Sequence, residues 1–423
     1  MHKIASLLAS TALALAGVSL IAVAVPEIAV AQAAKKGKES GPKINPKVLK
    51  PLQAALAAIE AGKFPEAEAE LAKANAVPDK TPFEQFQLDE VAGIAALRQA
   101  RYNDAAGAFE RGLASGLLPA EQLNNRLRLL SQLYLQTDPK DLAKSGDYAK
   151  RWLQASGTRD PVMLGYAGQS AYFGDNPGEA ATFMKEAVDV TKAEGKKPEE
   201  SWLLVLQSAY AKLKNSPGVA EATMDLVRYY PNQDHWNTLK RGLLGQAAGK
   251  DRQILQIFRL MYVADAMDQP DDYLEAANAA KLLGSPGEAV QFMDKGFASG
   301  VLENSGDKAR SQAARDEYRQ LAESDRKTLP QFEKEAQAAK AGEADVRLGE
   351  AYLSYDQPAK GLEAIQRGIA KGGLKSIDEA NLALGRAYIL NNNTAEAVKA
   401  FAAVTGPEYA QLAELWIVHA GRQ

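Results

Sequence analysis

Chemistry at a protein site needs groups that titrate, attack or ligate, and this chain carries few of them in usable arrangements. Its three histidines are His2, His235 and His419, and it has no cysteine. None of the histidines has a second histidine or a carboxylate at a metal-motif spacing on one helix face. Thiolate metal sites, disulfides and lipid-modified cysteines are excluded outright. No G-x-S-x-G elbow, Walker loop or strand-following G-x-G-x-x-G occurs. Adjacent acids such as Glu199-Glu200 and Asp271-Asp272 stand beside breakers or at helix starts. Their expected work there is to meet helix dipoles and orphan N–H groups rather than general acid–base catalysis. Trp152, Trp202, Trp236 and Trp416 are isolated aromatics, expected in cores or repeat interfaces. His235 is expected in a loop. These readings point to a non-enzyme with no metal and no cofactor, whose chemistry is recognition.

Recognition needs a surface, and the surface follows from a spacing. Small residues recur twelve apart at Ala55–Ala67, Gly93–Ala105, Gly168–Ala180, Ala277–Ala289, Gly349–Gly361 and Gly385–Ala397. Four positions past each second member stands a bulky residue: Leu71, Phe109, Met184, Met293, Ile365 and Phe401. The small pair lets two helices approach, and the bulky residue is expected to fill the groove to the next hairpin. If the first small residue of each pair packs inward, the next position and those three or four beyond face the concave side. The residues so placed are Arg98, Gln169, Tyr172, Asn278, Lys281, Glu350, Leu353, Arg386 and Ile389. Their mixture of polar and apolar types suits a helix or an extended peptide.

The elements that position them are helices. Aromatics make up 7% of the 423 residues and hydrophobic residues 46%, with alanine abundant, which suits closely packed helices better than sheets. Breakers fall just ahead of second helices: Asp175-Asn176-Pro177, Ser285-Pro286-Gly287, Asp356-Gln357-Pro358 and Asn391-Asn392-Asn393. Second members of the pairs lie 38 residues apart at 67 and 105, and 36 apart at 361 and 397. A further repeat ends three units alike: Arg111-Gly112 to Gly116, Lys295-Gly296 to Gly300, and Arg367-Gly368 to Gly372. The second glycine of each is expected to stop a helix. The predicted fold is all-α, a superhelical array of antiparallel helix hairpins, or α-solenoid, of roughly nine or ten units.

At the front, Met1-His2-Lys3 precedes an uncharged, mostly apolar run from Ile4 to Val25. Ala29-Val30-Ala31 and Ala31-Gln32-Ala33 fit small-x-small cleavage sites, so residues 1–33 read as a secretory signal peptide cut after Ala31 or Ala33. The mature chain is then expected in the periplasm, and it touches a membrane only if that segment stays uncut. Residues 34–50 read as a flexible basic linker, and 51–423 as the array, with a break near 304–345. The segment 307–340 is expected to hold a hairpin by its length, and no clean hairpin aligns over 251–268. Net charge is −3, which argues against a nucleic-acid partner.

A mid-thirties period, with Leu348-Gly349…Tyr352 and Leu384-Gly385…Tyr388 in first helices, resembles the tetratricopeptide repeat (TPR). From Asp147 to Glu303 the likeness narrows, and it covers most of residues 83–420. Asp147-Tyr148-Ala149-Lys150-Arg151-Trp152-Leu153, Asp160-Pro161, the run from Lys192 to Leu204, Leu226 to Pro231, and Gly368 to Leu374 are similar to periplasmic TPR proteins that accompany TonB systems in Gram-negative bacteria. The resemblance implies a protein-binding scaffold accessory to TonB–ExbB–ExbD and outer-membrane uptake, with TonB, ExbD or an outer-membrane transporter as partner. It supplies no catalytic residues. The competing expectation is a general scaffold for cell-envelope assembly or the cell wall.

Overall fold

Short helices alternate with tight turns, and the turns have a common cause. Seven hairpins reverse at a single left-handed residue: Gly62, Ala100, Asp175, Lys214, Gly284, Asp356 and Asn392, with φ between 55° and 78°. Glycine, aspartate and asparagine adopt this conformation at least cost. Ala100 and Lys214 do so only because the packed helices on either side fix the turn.

The computed structural model describes residues 42–421. The segment read as a signal peptide, 1–33, and residues 34–41 of the stretch read as linker lie outside them. Among the described residues there are twenty α-helices and no strand, and the chain divides into two compact units at Ala222 and Thr223. The first unit holds α1 (Pro46–Glu60), α2 (Phe64–Asn75), α3 (Pro82–Arg98), α4 (Tyr102–Ala114), α5 (Leu123–Leu133), α6 (Leu142–Ser156), α7 (Pro161–Phe173), α8 (Pro177–Ala193), α9 (Glu200–Lys212) and the start of α10 (Ser216–Tyr229). The second holds the rest of α10, then α11 (Gln233–Gln246), α12 (Asp251–Val263), α13 (Pro270–Leu282), α14 (Pro286–Ala298), α15 (Lys308–Ala338), α16 (Glu343–Ser354), α17 (Pro358–Lys371), α18 (Ile377–Leu390), α19 (Thr394–Ala402) and α20 (Ala410–Ala420). Most helices pack on their chain neighbours, so both units are all-α and built of antiparallel hairpins.

Several expectations change. Helix α1 begins at Pro46, inside the stretch read as linker, with the Asn45 side chain capping Lys47 N–H. Residues 308–338 form α15, one helix of 31 residues where a hairpin was expected. It contains no glycine or asparagine, and the helix runs on through Asp316 and Asp325. Residues 251–263 do form a helix, α12, although no small-residue pair marks it. His235 is not in a loop. It sits in the first turn of α11, 9% exposed, its backbone N–H bonded to Asn232 Oδ1 at 2.9 Å.

In the four hairpins led by Gly93, Gly168, Gly349 and Gly385 the bulky residue packs on that glycine, and Phe109 and Phe401 also reach the next helix, under Arg126 and stacked on Trp416. A Cβ on Gly93 would lie 2.6 Å from the Phe109 ring, and one on Gly168 would lie 2.9 Å from Met184 Cγ. Substituting alanine tests this by sign. A helix-interior Gly→Ala change gains about 1 kcal/mol in propensity, while overpacking costs about 1–3 kcal/mol. A planar ring cannot bend away, whereas methionine re-packs readily. Gly93→Ala is therefore expected to lower the melting temperature, with Phe109→Leu partly restoring it. Gly168→Ala is expected to be neutral or stabilising. Equal losses at both sites in a calorimetric melt would contradict the ring-on-glycine account.

The terminal repeats resolve as expected. Gly116, Gly300 and Gly372 all have positive φ and follow helix ends. The basic residue ahead of each first glycine pairs with an acid: Arg111 with Asp89, Lys295 with Asp265, Arg367 with Asp345. All four tryptophans are buried.

Candidate functional site

The second unit buries charge in its middle, and the helices of four different hairpins supply it. Arg259 projects from α12, Glu288 from α14, Glu350 from α16 and Arg386 from α18. Arg259 grips Glu288 with two bonds, Nε to Oε1 and Nη2 to Oε2, both 2.8 Å, and reaches Glu350 Oε1 with Nη1 at 2.7 Å. Arg386 closes the ring, to Glu288 Oε1 at 3.2 Å and Glu350 Oε1 at 3.5 Å. Side-chain exposure is 5% for Arg259, 8% for Glu288 and 13% for Arg386. Charge this deep is tolerated only when paired and hydrogen-bonded.

The environment separates the two arginines. Burial and then repulsion from Arg259 bring Arg386 down to about 10. Arg259 is pushed the other way: burial opposes its charge, but Glu288 and Glu350 outweigh that. Burial likewise raises Glu288, and the two guanidinium groups more than reverse it, leaving the carboxyl below its ordinary value. Arg259, Arg386 and Glu288 are thus ionised at pH 7, and the ion pairs tie them and Glu350 to one another. None is left as a free base or nucleophile.

Two cavities flank this quartet and share Arg259. The first, of about 240 Å³, opens beside Arg252, Gln256 and Arg347. The second, of about 270 Å³, is lined by Tyr262, Phe292, Leu353, Ile389, Leu390 and Trp416, with Arg386 and Glu288 at its floor. Tyr262 and Phe292 meet edge to face at 5.4 Å. Trp416 is 1% exposed and its Nε1–H has no acceptor. Leu390, 49% exposed, stands at the mouth.

Of the nine residues placed by the offset rule, the structure brings four to this region of the second unit. Glu350 and Arg386 belong to the quartet, and Ile389 and Leu353 line the second cavity. Leu353 is mostly core, 5% exposed. Asn278 and Lys281 lie on α13, where Asn278 is exposed and Lys281 pairs with Glu317 of α15. The other three belong to the first unit. Arg98 is exposed at the end of α3. Gln169 and Tyr172 are half-buried on α7. Tyr172 meets Ser208 Oγ at 2.5 Å, and Lys212 Nζ lies 4.6 Å from its ring centroid. Sequence reasoning missed Arg259 and Glu288. The first lies on a helix with no small-residue signature, and the second follows Ser285-Pro286-Gly287, where an acid reads as a helix-start residue.

Among the described residues no group of three or more His, Asp or Glu is placed to hold a metal, and no helix is long and apolar enough to cross a membrane.

No family model matches the chain, and no curated protein matches it. Solved structures similar to it include the C-terminal part of a TPR repeat-containing protein from Cytophaga hutchinsonii. That match has 14% identity and a TM-score of 0.34, covering 62% of this chain and 98% of the other. Another is a tetratricopeptide repeat protein from Parabacteroides merdae, at 12% identity and TM-score 0.28, covering 81% of this chain and 99% of the other.

Proposed function

We propose that this chain is a non-enzymatic protein-binding scaffold of the periplasm, accessory to a TonB energy-transduction system that drives uptake across the outer membrane. The second cavity carries the binding half of this reading. Its aromatic and aliphatic walls take an apolar side chain of an extended partner segment. The unpartnered Trp416 Nε1–H offers a donor to that segment's backbone carbonyl, and a buried donor left without an acceptor costs about 1–3 kcal/mol. The quartet beneath supplies no reactive group, so the cavity holds rather than converts. The periplasmic half is supported by the sequence before residue 34: an uncharged run followed by two small-x-small sites. The TonB half is supported by the packing and turn motifs between Asp147 and Leu374.

The test is site-specific photocrosslinking in the native host, with p-benzoylphenylalanine at Leu390 and at the exposed Arg98 as a control. Capture of TonB, ExbD or an outer-membrane transporter from Leu390 is the expected result. Capture of cell-wall or envelope-assembly factors alone would remove the TonB role and leave a general envelope scaffold. Identical adducts from both positions, or none from Leu390, would remove the cavity from the account.

A further inference from the structure

The first cavity has a chemistry of its own. Most of its charged groups already have partners. Arg252 Nη1 donates to Glu379 at 2.7 Å, and Arg259 Nη1 to Glu350 at 2.7 Å. Tyr355 O–H donates to Asp325 at 2.6 Å, and Lys375 N–H to Glu343 at 3.1 Å. Three polar side chains have none, and the half-buried Ser285 hydroxyl is one of them. Gln256 is 4% exposed and its Oε1 lacks any donor. Arg347, exposed at the rim, makes no ion pair or hydrogen bond.

That inventory decides the ligand class. A phosphate or other polyanion would meet four carboxylates. A polycation would find no carboxylate without a partner. What is left over is one buried acceptor, one small hydroxyl and one cation, so the fitting molecule donates an N–H and carries a single carboxylate. A buried amide oxygen with no donor is costly and is normally answered by protein or water. The amide torsion of glutamine is soft, so Oε1 turns to the cavity when a donor is there. Leu255, Leu329, Phe332 and Val346 supply apolar wall between the polar groups. At about 240 Å³ the space falls below the ~300–1,000 Å³ of drug-sized sites.

We propose that this cavity binds a free aliphatic amino acid, its ammonium donating to Gln256 and its carboxylate paired with Arg347. The site is separate from partner binding, and its occupancy is read without any partner.

The test is calorimetric titration and thermal melting of the purified full chain with L-leucine. Saturable binding is expected, with a rise in melting temperature of about 5 °C at a hundredfold excess over Kd. Isoamylamine, which lacks the carboxylate, and 4-methylpentanoate, which lacks the N–H donor, are each expected to bind at least ~10-fold more weakly. Arg347→Gln is the protein-side test, because an exposed side chain without a partner can be changed without cost to the fold. It is expected to weaken leucine by a similar factor while its own melt stays unchanged, and Gln256→Leu should do likewise. No saturable binding, leucine bound equally by Arg347→Gln, or 4-methylpentanoate bound as tightly as leucine would each overturn the site. Tighter binding of Leu-Leu than of leucine would overturn the free amino acid as its ligand.

Discussion

Arg259→Leu is expected to lower the stability of the second unit by about 3–5 kcal/mol, the range for removing one partner of a buried ion pair. Leucine keeps most of the volume, so the loss reports charge rather than a cavity. Arg259 is the only group that joins α12 to both Glu288 and Glu350. Without it two carboxylates face Arg386 alone, which reaches them at 3.2 and 3.5 Å. The 3.5 Å contact leaves Glu350 weakly held, and Glu288, 8% exposed, loses its two-bond partner in a site where charge must be paired. For a unit of about 200 residues the fall corresponds to a melting temperature lower by roughly 10 °C. The same quartet predicts a pH dependence. Glu288 titrates below its ordinary 4.5 in the folded protein, so its stabilisation is complete above that value. It is lost as pH falls through the lower folded value. Glu288→Gln should flatten the acid limb of the melting-temperature profile between about pH 5 and pH 3. A wild-type acid limb retained in Glu288→Gln, or Arg259→Leu melting like wild type, would mean that hairpin packing alone holds the second unit together. Replacing Arg259, Glu288, Glu350 and Arg386 together by apolar residues of similar volume should recover much of the loss.

That behaviour bears on how much of the molecule can be read from its residues. The hairpins are legible because their constraint is local: glycine at 93, 168, 349 and 385 must leave room for one bulky residue sixteen positions on, and both members are visible in the chain. The turns are legible where Gly62, Asp175, Asp356 or Asn392 supplies the left-handed residue. They are not legible at Ala100 and Lys214, where packing imposes a conformation that the residue types disfavour. The long helix α15 is not legible either, because it runs through Asp316, Asp325 and Pro330, residue types that elsewhere in the chain mark turns. For the site, an offset from the small pairs leads to Glu350, Leu353, Arg386 and Ile389. It cannot lead to Arg259, because α12 has no small residue facing a partner helix and its register is set by contacts far along the chain. The quartet is a tertiary object: Arg259 and Arg386 are 127 positions apart, and no short motif encodes their meeting.

Asp345→Asn is the second large effect, and its size follows from comparison with an equivalent pair. Asp345 and Arg367 are 22 positions apart, as are Asp89 and Arg111, and each pair joins the two helices of one hairpin. Asp345 is fully buried, bonded to Arg367 Nε at 2.7 Å and paired with Lys371 Nζ at 2.7 Å. Those two cations keep only 26% and 21% of their side-chain surface in water. Lys371 is further tied to the carbonyls of Ala336 and Gln337, at the end of α15. Neutralising Asp345 strands both cations where they cannot re-solvate, at about 3 kcal/mol. At the other hairpin Arg111 is 61% exposed, so in Asp89→Asn it turns outward into solvent. Gln85 still bonds position 89 there, and the expected cost is about 1 kcal/mol or less. Urea unfolding of the two isosteric variants measures the difference directly. Matching costs would show that the shared motif, rather than burial of its cations, sets the energy. A threefold difference would show that one sequence repeat can be a surface pair in one hairpin and a structural lock in another.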